Sequence, residues 1–266
     1  MNMGINMRQQ FIQSPDEDQP WTNQVITGNN GQTSPTRNNE HYALNSSLGL
    51  SQQSAQNFKV VIRVRPPLPR EKIQGCQFRP IVSVAAKNNS VAIMEYLGAE
   101  VTEKERQKDM DLNPHLCVWQ NFTFDYVYDH DSTQEFVYDN TAKQSVLSVL
   151  EGYNSTVIAY GQTGTGKTHT MEGFKYNVGD PQRGIIPRSM EEIFKFIQMQ
   201  SSNNSTFMVR VSYLQIYNEI ISDLLKVERT SLQIREDKKK GVFVEGLSEW
   251  AVRSPNEVYS LMQKGA

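Results

Sequence analysis

Residues 161 to 168, Gly161-Gln162-Thr163-Gly164-Thr165-Gly166-Lys167-Thr168, satisfy G-x-x-x-x-G-K-[ST] at each fixed position. Phosphate chemistry explains the spacing. Glycines let successive backbone N–H groups face one anion, and a helix starting at the lysine adds the positive end of its dipole. Lys167 is placed to meet the β- and γ-phosphates of a nucleotide, and the Thr168 hydroxyl is placed to ligand Mg²⁺. The motif needs a buried strand before it and a helix after it. The apolar, β-branched run at 156–160 (TVIAY) reads as that strand, and Lys167 opens a helix.

The elements that must hold this loop follow from periodicity. Residues 58–71 (FKVVIRVRPPLPRE) read as a strand stopped by Pro66 and Pro67. The run 82–97 reads as two short strands around an Asn-Asn turn, 98–114 as a charged loop or short helix, and 118–129 as one alternating strand. A helix over 132–152 is expected to be capped by Ser132, boxed with Glu135, and stopped at Gly152. A second helix covers 185–200. Residues 206–225 (TFMVRVSYLQIYNEIISDLL) read as a strand running into a helix, and 232–246 as a hairpin with a basic turn. A last helix is capped by Ser254 with Pro255 at its first position. Strands alternating with helices make the class α/β.

Residues 1–57 have a different composition. They hold 18 Asn or Gln and only six charged groups, and their apolar residues show no period. Such a stretch buries too little apolar surface to offset its ordering entropy, so it is expected to be a disordered tail, with the folded domain at 58–266. Net charge is −2 and the pI is near 6.1, which excludes a whole-chain nucleic-acid footprint. Cys76 and Cys117 make neither a disulfide framework nor a metal site. No apolar run reaches the length of a membrane span, and the N-terminus has no apolar signal core, so a reducing cytoplasmic setting is expected.

A phosphate loop alone does not name a function. The flanking blocks do. Residues 150–173 (LEGYNSTVIAYGQTGTGKTHTMEG) closely resemble the kinesin motor domain. So do 62–71, 122–146, 183–194, 211–225 and 232–258, in that order along the chain. The resemblance implies a phosphate-loop NTPase fold of the kinesin type, a central mixed β-sheet flanked by helices. It implies ATP with Mg²⁺, and microtubules (tubulin) as partner. Arg63, Arg65 and Pro66 match the family's R-x-R-P segment, which lies against the adenine. His169 resembles its adenine-side residue, although a lone histidine is more often structural. Lys238, Lys239 and Lys240 match its microtubule-contacting hairpin, against which a solvated tip remains the plain alternative. The 98–114 insertion sits where some kinesins touch the lattice, but its charges are mixed.

Two family motifs do not occur in residues 1–266: N-x-x-S-S-R-S-H and D-L-A-G-S-E, which sense the γ-phosphate. The expectation is therefore a chain that stops before its switch motifs, with no catalytic residue of its own, inactive alone and incomplete on the C-terminal side of its sheet. The parent would be a microtubule-stimulated ATPase moving along microtubules in the cytoplasm, those of cilia included, and oligomerising through a later region. A motor at the N-terminal end usually goes with plus-end movement in this family. The alternative is a kinesin-like, non-motile structural component that binds nucleotide without turnover.

Overall fold

The computed structural model describes residues 58–72, 80–98, 102–173, 179–200, 206–238 and 241–265. The 1–57 tail therefore lies outside the described residues, as do Lys239 and Lys240.

β1 (Val61–Arg63) pairs in parallel with β5 (Tyr126–Tyr128). β2 (Val82–Ala85), β3 (Ser90–Tyr96) and β4 (Cys117–Thr123) form an antiparallel lobe, with Asn89 at φ 50 in the expected turn. The single strand expected over 118–129 is thus two strands in two ladders, split at Phe124 and Asp125. The insertion between β3 and β4 folds as helix α1 (Glu103–Leu112), where Thr102 and Glu105 cap each other. The Tyr96 hydroxyl donates to Asp109, and Met110 is buried beneath the helix.

The central helical run begins at α2 (Gln134–Val137), widens through a π turn at Tyr138–Ala142, and continues as α3 (Lys143–Leu150). Its cap is Thr133, whose hydroxyl accepts from the Phe136 amide at 3.1 Å, and not Ser132 as the sequence suggested. Thr133 is also a favoured cap residue, and the backbone turns helical one residue later. Gly152 ends the run at φ 103, as expected. The helix after the phosphate loop, α4 (Lys167–Met171), is short; α5 (Ile185–Gln200) is the long one.

Two further expectations fail. The helix after 206–217 is absent. Instead β6 (Val209–Val211) is followed by a hairpin of β7 (Leu214–Tyr217) and β8 (Ile220–Asp223). Asn218 and Glu219 turn it at φ 48 and 63, the left-handed pair of a tight two-residue hairpin turn. The segment before the phosphate loop is extended but joins no ladder. Val157 and Ala159 pack on the core, while Ile158 and Tyr160 are 79% and 96% exposed. It is therefore not the buried strand that its composition suggests.

β9 (Gln233–Asp237) and β10 (Gly241–Glu245) form the expected hairpin, β11 (Trp250–Val252) pairs with β6, and α6 (Pro255–Gly265) follows, capped by Ser254. The class is α/β with both parallel and antiparallel pairing. The main core lies among the π turn, α3, α5 and α6, where Ala142, Val146, Ile186, Met190, Val258 and Met262 meet Met171 from α4. The phosphate loop is thereby anchored at one end to the best-packed part of the chain. Among the described residues, no helix is long and apolar enough to cross a membrane.

Candidate nucleotide-binding site

The loop at 161–166 closes on itself through its own polar groups. The Thr165 hydroxyl donates to the Gln162 carbonyl at 2.8 Å. A Cβ at Gly161 would lie 2.6 Å from that hydroxyl oxygen, so only glycine fits there. Gly166 takes φ 97 and ψ 21 as the N-cap of α4, a conformation strained for any side chain. Lys167 starts α4 and folds back into the loop, its Nζ donating to the Gly161 and Gln162 carbonyls at 2.8 and 2.9 Å. An ammonium held over the loop by two neutral carbonyls is placed to exchange them for phosphate oxygens, which make stronger charge-assisted bonds. The exposed Thr168 side chain is next on α4. Among the described residues, no cluster of three His, Cys, Asp or Glu side chains is arranged to hold a metal ion. The Thr168 hydroxyl would be one ligand for a magnesium ion, which commonly binds through few protein groups together with substrate phosphates. The residues present fit both a nucleotide phosphate and its ion.

The R-x-R-P segment divides in two. Arg65 braces the outer wall of the loop, its Nε donating to the Gly164 carbonyl at 2.8 Å. Glu71 holds the same guanidinium with two bonds of 2.8 and 2.5 Å, and also accepts from the Leu68 amide at 2.9 Å. Pairing with Arg65 and the Leu68 amide pulls the Glu71 carboxyl down to about 2. Pro66 is exposed beside this brace. Arg63 turns inward instead. Its guanidinium donates to Gln134 Oε1 at 2.6 Å, the Thr170 hydroxyl at 3.0 Å and the Ser132 carbonyl at 3.2 Å. One of those partners, Thr170, is on α4 itself. Burial holds its pKa below the usual arginine value. His169 is half-buried, and burial first and the Arg63 charge second lower its pKa, which keeps it neutral at pH 7.

A family profile for the kinesin motor domain matches residues 63–266. The chain belongs to the kinesin motor domain family. It is 38% identical over 210 residues to kinesin-related protein 3 of Dictyostelium discoideum, covering 79% of this chain and 16% of that protein. It is 40% identical over 213 residues to the kinesin heavy chain of Neurospora crassa, covering 80% of this chain and 20% of that protein. With human kinesin-1 heavy chain it shares 38% identity over 191 residues, 71% of this chain and 18% of that one. The chain thus spans a fifth or less of these relatives. A solved structure of a fast kinesin, described for its ATPase mechanism and its interactions with microtubules, superposes with a TM-score of 0.63 at 39% identity. That match covers 78% of this chain and 51% of the other. The phosphate-loop NTPase fold of the kinesin motor is therefore the fold of this chain.

Within the kinesin motor domain, Lys167 and Arg65 bond the loop itself, Thr168 and His169 follow Lys167 on α4, and Arg63 bonds Thr170 of the same helix. Lys238 is at the exposed tip of the β9–β10 hairpin, a separate surface feature. Three contributors escaped the sequence reading: Glu71, Gln134 and Arg70, whose Nη2 would lie 3.6 Å from a Cβ at Gly164. Glu71 carried a faint signal, six residues after Arg65 beyond a proline-rich turn. Gln134 carried none, since an uncharged polar residue at a helix start reads as surface.

Proposed function

We propose that this part of a kinesin motor binds MgATP and that the protein containing it is a microtubule-stimulated ATPase moving along microtubules. The observation that carries the reading is the Lys167 ammonium, poised over a glycine-lined loop on carbonyls that a phosphate would displace. The related structure's description, which names an ATPase mechanism and microtubules, supports the same assignment. Backbone amides of Gly161, Gln162, Thr163, Gly164, Thr165 and Gly166 receive the phosphates, with Lys167 supplying the cation. The Thr168 hydroxyl would hold Mg²⁺, which would offset the phosphate charge. Arg65 and Pro66 form the wall on the base side, and neutral His169 lies near it. Arg63, bonded to Thr170 of α4, belongs to the same proposed nucleotide site. Hydrolysis is not assigned to any side chain of this chain: its residues bind and orient.

Lys238, Lys239 and Lys240 form the proposed microtubule contact, meeting an acidic surface by charge. The domain is proposed to start at residue 58, to work in the cytoplasm on microtubules including those of cilia, and to oligomerise through other parts of the protein. Equilibrium titration with a fluorescent ATP analogue tests the site. Lys167→Ala should weaken binding at least about a hundredfold, the scale of losing a buried charge-assisted pair. Unchanged affinity would remove nucleotide binding from this loop.

A further inference from the structure

α4 carries Lys167, Thr168 and His169, yet it is five residues long. Helices this short are marginal by themselves, because the nucleation cost outweighs the few internal bonds gained. Something outside the helix must hold it. Its C-terminal end shows where. The Gly173 amide, which would close on His169 in a continuing helix, donates to the Thr168 carbonyl instead at 3.2 Å. Gln134 holds the same end from outside the helix. Its Nε2 donates to the His169 carbonyl at 2.6 Å and to the Gln182 carbonyl at 3.0 Å, while its Oε1 accepts from Arg63 at 2.6 Å. Gln134 is 4% exposed, so this is a buried amide with both donors and its acceptor engaged. Arg63 adds a second hold on the same helix through the Thr170 hydroxyl.

We propose that Gln134 and Arg63 are positioning residues: a clamp on the back of α4 that sets the direction in which Lys167, Thr168 and His169 face the nucleotide. Gln134 acts through the His169 carbonyl, and Arg63 through Gln134 and the Thr170 hydroxyl. This role rests on the nucleotide-binding reading, whereas the clamp's action on α4 does not. The clamp also ties α4 to the loop at 180–183, because Gln182 shares the same amide.

Two variants separate the contributions. Gln134→Leu removes all three bonds. Gln134→Glu keeps the acceptor for Arg63, and so a paired charge, but cannot donate to His169. The complete protein is compared with both variants and with Val91→Ala, which removes buried packing in β3, outside the core cluster that Met171 joins. Amide hydrogen exchange over 166–173, measured without nucleotide, reads the clamp directly. Both Gln134 variants should accelerate exchange there, and Val91→Ala should not. ADP affinity should fall about tenfold in both, the scale of one lost buried hydrogen bond. The ³¹P resonances of bound ADP should shift in both and stay in place in Val91→Ala. Wild-type exchange over 166–173 in either Gln134 variant would overturn the clamp. Accelerated exchange with unchanged ADP affinity and ³¹P resonances would overturn its positioning role. Failure of the wild-type protein to bind ADP, with exchange still accelerated in the variants, would overturn the nucleotide reading and the positioning role together and leave the clamp on α4 standing.

Discussion

At the scale of single residues, the wall of the candidate site depends on one exposed ion pair. Arg65 reaches Gly164 only because Glu71 fixes the other edge of its guanidinium. The Glu71 carboxyl is depressed from 4.5 to about 2. A depressed carboxylate contributes in full above its ordinary pKa and loses that contribution as pH falls through the folded value. The contribution of the brace to stability is therefore constant above pH 4.5 and declines below it, while the carboxylate in the fold gives up the bond only as pH nears 2. Nucleotide affinity should show no step from this group at neutral pH. Glu71→Gln should weaken binding about threefold, within the range of exposed pairs, and the loss should shrink at high salt. Titration of the variant at two ionic strengths checks both parts. A loss independent of salt would mean that Glu71 acts through the Leu68 amide alone.

At the scale of elements, the β7–β8 hairpin and the loop after it account for most of the surprise. Glu219 sits at φ 63, a left-handed conformation that costs a side-chain residue roughly 1 kcal/mol. Glu219→Gly creates Asn-Gly, the pair this turn favours, and should raise stability by about 0.5–1 kcal/mol in urea unfolding. Asp223 ends β8 and is 1% exposed. Its carboxylate accepts from the Leu225 amide at 2.9 Å, the Lys226 amide at 3.1 Å and the Ser248 amide at 2.8 Å. Burial alone would raise its pKa, but these donors outweigh it and the net shift is downward. Ser248 leads into β11, so one carboxylate joins the two chain segments that flank the β9–β10 hairpin. Asp223→Ala strands buried amides and should cost on the order of 3 kcal/mol in the same assay. The destabilisation should be full above the ordinary aspartate range and shrink as pH falls through the depressed folded value.

At the scale of the whole molecule, charge is nearly balanced, with a net −2, so attraction to an acidic polymer has to be local. Lys238 at the β9–β10 tip is exposed and remote from the core, where reversing its charge costs little stability. In microtubule co-sedimentation of the complete protein, Lys238→Glu should weaken binding most at low salt. The difference should fade as the screening length drops from about 30 Å at 0.01 M to about 8 Å at 0.15 M. Parallel salt curves for the two proteins would return this hairpin tip to the solvent.

The phosphate loop, the family, and the helices at 185–200 and 255–265 were legible in the sequence, because each is written in adjacent residues: fixed glycines and a lysine, a 3.6-residue apolar stripe, a proline behind a cap. Three features were decided only by tertiary structure. Residues 218–223 have a helical look, yet Asn218 and Glu219 turn left-handed and β8 closes on β7, because cross-strand pairing overrides local propensity. The run at 156–160 has the composition of a buried strand, but burial depends on neighbours, and here only Val157 and Ala159 find them. The division of labour between Arg63 and Arg65 was invisible for the same reason. Two arginines on successive same-side positions of one strand end look alike in sequence. What separates them is that Gln134, 71 residues away, meets one, and Glu71, six residues away, meets the other.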